Sequence, residues 1–201
     1  MEKITDRSQF LICAAPTALV ELGRLFFFGD KILIQIRNAT LEDAAALSRV
    51  ESASFPEAEA CSLENFKKRL AVFSDYFLVL EDEGEICALI DGMVTDQETI
   101  TDELYEDATL HNPDGAWQSV FGLAVMPQKR QLGYASLLMM ELIEKARHEN
   151  RKGLILTCKK NLIPFYEQFG FVNKGLSASV HGGAAWYDMV LDFAHQPPSG
   201  F

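Results

Sequence analysis

Residues 119–146 read SVFGLAVMPQKRQLGYASLLMMELIEKA. A run of strand type ends at Met126-Pro127, a short polar and basic segment follows, and from Tyr134 apolar residues recur at helical spacing. The joint between strand and helix carries Arg130 and Gly133. The first N–H groups of a helix have no partner within it and lie at the positive end of its dipole, so an anion placed there satisfies both. Gly133 removes a β-carbon where such an anion would approach, Ala135 keeps the turn narrow, and Arg130 adds positive charge at the mouth. Alone, R-x-x-G-x-A is a weak signal, because many strand-to-helix turns carry a glycine. No Gly-Lys-Ser or Gly-Lys-Thr follows, and a single glycine does not make G-x-G-x-x-G.

Upstream, ILIQIRN (32–38) alternates as a half-buried strand does, and Thr40 with Asp43 opens a helix through a capping-box-like start. Residues 53–62 form a loop, and Ser62 caps a second helix whose Phe66, Leu70 and Phe73 share one face. YFLVLED (76–82) and EICALIDGMV (85–94) make a hairpin around Glu83-Gly84. Residues 95–116 are a long acidic excursion, and loops of this length inside a domain are often functional. WQSVFGLAV (117–125) reads as one strand. Downstream come the strand KGLILTC, a short helix closed by Gly170, and two closing strands, FVNKGL and AAWYDMVLDF. The class is α/β with a mixed sheet.

The chain has 201 residues, 48% of them hydrophobic and 23% charged, which suits one globular domain with a sizeable core. Lys and Arg number 18 against 29 Asp and Glu, for a net charge of -11. That balance argues against nucleic acid as a partner and suits a cationic or amine ligand. Cys13, Cys61, Cys87 and Cys158 lie far apart, without metal-ligand spacing, and read as reduced, buried thiols of a cytoplasmic protein; no metal is expected. Residues 1–31 read as an N-terminal appendage of uncertain role. LICAAPTALVELGRLFFFG is interrupted by Pro16, Glu21 and Arg24, so neither a secretory signal nor a membrane span is expected. A chain begun near Ile32 is expected to fold and stay active, residues 32–193 forming the domain and 194–201 a tail.

This constellation resembles the GNAT superfamily of acyl-coenzyme A-dependent N-acetyltransferases over about residues 32–193. The resemblance rests on LAVMPQKRQLGYASLLMMELIEKA, on LILTCKKNLIPFYEQFGF, and on the order of elements around them. More narrowly, the chain is similar to the arylalkylamine (serotonin-type) branch, in which a helix-rich acidic segment closes on a turn, here TLHNPDG, before the LAV strand. The resemblance implies a central mixed, mostly antiparallel twisted sheet with a splayed parallel strand pair and flanking helices. It implies acetyl-CoA as cosubstrate and direct attack by an amine in a ternary complex. The backbone of Leu123, Ala124 and Val125 would pair with the pantetheine arm. Arg130 and the amides of Gln131, Leu132, Gly133, Tyr134, Ala135 and Ser136 would cradle the pyrophosphate, and Asn161 would add a coenzyme contact. Tyr166 would protonate the departing thiolate, and the Val125 amide would face the developing oxyanion.

The arylalkylamine enzymes carry an H-x-H pair on the strand before LAV, where this chain has Ser119 and Phe121. Ser119 keeps a hydroxyl able to hold a water, and His181 in SVHGGAAWYDM is the other catalytic candidate; for Glu57, Glu59 and His111 surface or turn roles are the simpler reading. Phe55, Pro56, Trp117, Phe121 and Trp186, with Tyr187, are the expected acceptor walls, suited to a protonated amine with an apolar body. The expected partners are a small-molecule amine and acetyl-CoA, without nucleic acid or membrane, a homodimer being the oligomer considered. Two other functions fit the same residues: a protein N-terminal or lysine acetyltransferase, and a non-catalytic acyl-CoA-binding GNAT-like module.

Overall fold

Backbone alternation and two glycine-lined close approaches decide how the strands are shared out. The computed structural model describes residues 25–28 and 31–195, with side chains from residue 34. Cys13, the rest of the N-terminal appendage and the end of the tail lie outside the described residues. The strands are β1 (Leu25–Phe28), β2 (Lys31–Asn38), β3 (Phe77–Asp82), β4 (Glu85–Asp91), β5 (Val94–Thr95), β6 (Trp117–Val120), β7 (Gly122–Val125), β8 (Gly153–Cys158), β9 (Val172–Leu176) and β10 (Tyr187–Asp192). The helices are α1 (Ala44–Ser54), α2 (Leu63–Phe73), α3 (Asp102–Glu106), α4 (Tyr134–His148) and α5 (Ile163–Glu167).

Local chemistry starts these elements where the sequence places them. The Asp43 carboxylate accepts the Thr40 N–H at 2.8 Å and leads through a 3-10 turn into α1. Ser62 Oγ accepts the Asn65 N–H at 3.2 Å, and α2 then buries Phe66, Leu70 and Phe73 on one face. Glu83 and Gly84 both have positive φ (55° and 82°), as a two-residue hairpin turn matched to strand twist requires.

Two five-stranded sheets result, ordered β1-β2-β3-β4-β7 and β5-β6-β8-β10-β9. Among the described residues, every strand pair is antiparallel except β6 with β8. The strand expected over 117–125 breaks at Phe121. Its first half joins β8 while its second stays on β4. The break is held by two backbone bonds, Ser119 N–H to the Met93 carbonyl (2.8 Å) and Phe121 N–H to the Asp91 carbonyl (2.7 Å). Gly92 makes it feasible, because a β-carbon there would lie 2.0 Å from the Ser119 carbonyl oxygen. Past Phe121, β7 and β8 diverge, and β7 becomes the edge of the first sheet.

Alternate residues of the central strands feed two cores. Leu78, Leu80, Ala88 and Ile90 meet Leu138, Met139 and Leu142 of α4, whereas Phe77, Val79 and Leu89 meet Leu47, Val50, Phe66 and Leu70 of α1 and α2. The sheet also begins before residue 32. β1, inside the segment set apart as an appendage, pairs antiparallel with β2, from Leu25 opposite Gln35 to Phe28 opposite Lys31. Its uniformly apolar LFFF has no period-2 signature to announce a strand. Among the described residues, no helix is long and apolar enough to cross a membrane.

Gly92→Ala should therefore lower the unfolding free energy by about 2–4 kcal/mol, since the obstructing atoms are backbone. Urea melts check this, and a loss below about 0.5 kcal/mol would mean that the strand break yields.

Candidate active site

The open edge of β7 and the first turn of α4 form one continuous surface. The Met126 N–H bonds the Cys87 carbonyl of β4 at 2.8 Å, so antiparallel alternation turns the N–H and C=O groups of Leu123 and Val125 to the free edge. The Val125 carbonyl is accordingly met from outside the sheet, by Arg130 Nε and Ser54 Oγ, each at 3.2 Å. Such an edge fits an extended, amide-bearing chain like pantetheine, which can pair with it as a strand would. The loop from Pro127 to Gly133 then curls through two left-handed residues, Gln131 (φ 64°) and Gly133 (φ 84°). Nothing lies within 4 Å of a β-carbon built on Gly133, so its dihedral, and not a close protein contact, demands glycine. Gly133 is the N-cap of α4 and brings no capping side chain, which leaves the first N–H groups to a ligand. Gln131 and Leu132 are exposed, Ala135 and Ser136 are half-buried, and Asn161 is exposed just past the end of β8.

Asp82, at the end of β3, ties both flanks of this loop. It accepts from Lys129 Nζ at 2.6 Å and from the Tyr134 hydroxyl at 2.7 Å. Partial burial pulls its pKa upward, but these two donors hold the carboxyl below the usual aspartate range. A lowered pKa means that the clamp is complete above that range and lost only in strong acid.

Where β7 and β8 part lies a cavity of about 250 Å³. Phe55, Phe121, Tyr105 and Trp186 give it aromatic walls, and Tyr166, Cys158 and Leu123 complete its lining beside the ends of β7 and β8. Tyr166 is 7% exposed and packs edge-on against Phe165 and Phe171. Burial, then Cys158 and Tyr105 nearby, push its hydroxyl well above the ordinary phenol range, so it stays a proton donor. Three contacts tie together the segments beside the cavity. Lys159 Nζ pairs with Glu59 of the α1–α2 loop at 2.7 Å. The His181 ring stacks on Tyr105 with centroids 4.9 Å apart, its Nε2 facing the Glu59 carbonyl at 3.2 Å. Asp102, opening α3, accepts from the Ser179 hydroxyl and the Val180 N–H.

Of the expected acceptor walls, Phe55, Phe121 and Trp186 line the cavity, while Trp117 and Pro56 stand apart from it. Trp117 is buried with Ile100 and Ile155 in a separate apolar cluster. Pro56 is exposed and lends its carbonyl to the Glu59 and Ala60 N–H groups, shaping the loop. Tyr187 is half-buried on β10, and Glu57 is exposed. Ser119 is wholly buried behind the wall. Its Oγ accepts the Met93 N–H at 3.0 Å and donates to the Met93 carbonyl at 2.8 Å, so strand alternation turns it from the site toward the break. His111 accepts the Val94 N–H on Nδ1 at 3.1 Å and packs between Phe73 and Tyr76. Burial pushes the thiols of Cys61, Cys87 and Cys158 up to about 12, 11 and 11, far from the range of a reactive thiolate.

The cavity also holds a charged group that sequence reasoning missed. Glu51 of α1 is 5% exposed, with Oε1 accepting the Cys61 N–H at 3.3 Å and Oε2 without a partner. Burial, then the neighbouring Asp91, push it up to about 8. Asp91, itself raised by burial, is bonded by Arg69 Nη1 at 3.0 Å; Arg69 Nη2 reaches the Tyr105 carbonyl at 2.8 Å. The available signal was a carboxylate four residues after Leu47 and one after Val50, on the apolar stripe of α1.

Asp82→Asn should weaken coenzyme A binding about tenfold, roughly 1.4 kcal/mol, with little change in melting temperature. Calorimetric titration with coenzyme A checks it, and an unaltered Kd would remove the clamp from the binding surface.

A model described as the acetyltransferase (GNAT) family matches residues 42–171. Serotonin N-acetyltransferase of Mesocricetus auratus is 28% identical over 159 residues, covering 77% of this chain and 75% of that protein. Among solved structures, the loading GNATL domain of CurA from Lyngbya majuscula superposes with a TM-score of 0.70 at 14% identity, over 81% of this chain and 99% of that one. The GphF GNAT-like decarboxylase in complex with isobutyryl-CoA superposes with a TM-score of 0.69 at 20% identity, over 79% and 98%. At those identities the structural likeness speaks to the fold alone.

Proposed function

Because the chain belongs to the acetyltransferase (GNAT) family and is an acyl-CoA-dependent enzyme that uses acetyl-CoA, we propose that it acetylates a small primary amine by direct attack in a ternary complex. The observation that carries this reading is the aromatic cavity of about 250 Å³ beside the β7 edge, with the Glu51 carboxyl in its wall. A space of that size favours a compact acceptor over a peptide, which needs a long groove. Residues 95–116 contribute Tyr105 to the wall, which narrows the room for a protein N-terminus or lysine. Aromatic faces suit an ammonium with an apolar body. The similarity to serotonin N-acetyltransferase makes an arylalkylamine the class to test first.

Bound along β7, acetyl-CoA supplies the thioester whose carbonyl carbon the amine attacks. The edge groups of Leu123 and Val125 fix its arm, and holding both reactants together turns a bimolecular encounter into a local one. The outward N–H of Val125 stabilises the oxygen as it becomes anionic. Tyr166, kept protonated by its buried surroundings, supplies the proton that the departing thiolate takes up. A donor of this kind beside the β7 edge favours turnover over a purely binding module.

Thiol release from acetyl-CoA, measured over arylalkylamines, alkylamines and N-terminal peptides, tests the reading. Turnover with arylalkylamines is expected, and turnover with peptides alone would reverse it. Tyr166→Phe should lower kcat about 100-fold while leaving the Kd for coenzyme A nearly unchanged; an unaltered kcat would take Tyr166 out of the mechanism.

A further inference from the structure

We propose that Glu51, in the wall of the acceptor cavity with one carboxylate oxygen unpartnered, binds the acceptor's ammonium and takes its proton. The assignment rests on the reading of this cavity as an amine site. It starts from a charge count. The titratable and charged groups around Glu51 are Asp91 from β4, Arg69 from α2, Cys61 from the α1–α2 loop and Tyr105 from α3. Arg69 is paired with Asp91 at 3.0 Å, so one cation meets two carboxyl groups. Glu51 is the surplus. A buried carboxylate without a cation is costly, so the site favours either a proton on Glu51 or a positive ligand beside it. Those are the two states through which a base passes.

Position supports the same role. The Glu51 carboxylate lies against Gly122, where a β-carbon would stand 3.6 Å from Oε2, and Leu123, the next residue, opens the coenzyme edge. Glu51 also lies in the last turn of α1, where the negative end of the helix dipole favours a cation. Of the other polar groups that line the cavity, Glu106 is exposed to solvent, and the rest are committed elsewhere. Glu59 too has an unpartnered Oε2, but its charge is met by Lys159. His181 turns Nε2 to a carbonyl, and Ser119 is bonded to Met93. A value near 8 is also well matched to proton transfer at neutral pH.

The balance of the step is complete. Glu51 takes one proton from the ammonium, and the amine nitrogen forms a C–N bond to the thioester carbon. The C–S bond breaks as the tetrahedral intermediate collapses. A second proton lost from nitrogen replaces the one that Tyr166 gives to the thiolate, and Glu51 returns its own to solvent.

Glu51→Gln keeps an oxygen for the Cys61 N–H, so the fold is expected to survive, with melting temperature and coenzyme A affinity as controls. With 2-phenylethylamine, kcat/KM should fall about 100-fold at neutral pH. The loss should shrink as pH rises and the free amine becomes abundant, whereas the wild-type profile levels off once Glu51 is ionised. Calorimetry of 2-phenylethylammonium on the coenzyme A-loaded protein should show at least tenfold weaker binding in the variant. A deficit constant across pH, or an unchanged amine Kd, overturns the assignment. Wild-type protein that binds the amine without acetylating it would sink the acceptor reading, and the calorimetric comparison would still decide Glu51. No amine heat from wild type overturns both.

Discussion

The backbone bonds that break one strand at Phe121 set everything else in place. Two adjacent strands in register would satisfy each other's N–H and C=O groups and leave no edge for a ligand. Anchoring Ser119 to Met93 and Phe121 to Asp91 sends the first half of the strand to β8 and the second to β4. The open edge of β7 and the aromatic cavity are two sides of that divergence. Gly92 and Gly122 permit it, and Asp91, buried beside Gly122 and bonded by Arg69, ties the break to α2.

Polar groups that cannot reach water form a chain through the site. Asp91 holds Arg69, Arg69 holds the Tyr105 carbonyl and stands 4.8 Å over the Phe121 ring, and Tyr105 bonds Thr157 through its hydroxyl. These contacts join α2, α3 and β8 around the cavity, which makes the acidic excursion part of the wall. In this reading Glu51 is the one charge in the group left for the ligand to match.

Much of this was legible in the residues themselves. Ser62 as a cap, Glu83-Gly84 as a turn and Gly133 as a strand-to-helix joint all follow from local chemistry, while Phe55, Phe121 and Trp186, grouped through the family resemblance, line one cavity. Long-range pairing was not. Trp117 and Ser119 share a face of β6, and only the turn of that strand toward β8 sends both away from the cavity. β1 carries no alternation to betray it. Glu51 was hidden by habit, since a glutamate in a helix is usually read as solvated, and Asp82 looked like one more acid of a hairpin. In each case the informative fact is a partner distant in sequence.

The bond between Val94 and His111 has its own bearing on acidity. Nδ1 can accept the Val94 N–H only from a neutral imidazole, and burial, then Arg151 nearby, hold that ring's affinity for protons below the usual 6.5. The unfolded chain therefore takes up this proton first, and acidification through the ordinary imidazole range drains stability from the strand that flanks Gly92. Activity lost at the acid end of the profile would then combine a loosening scaffold with the protonation of Glu51, which sets in at higher pH.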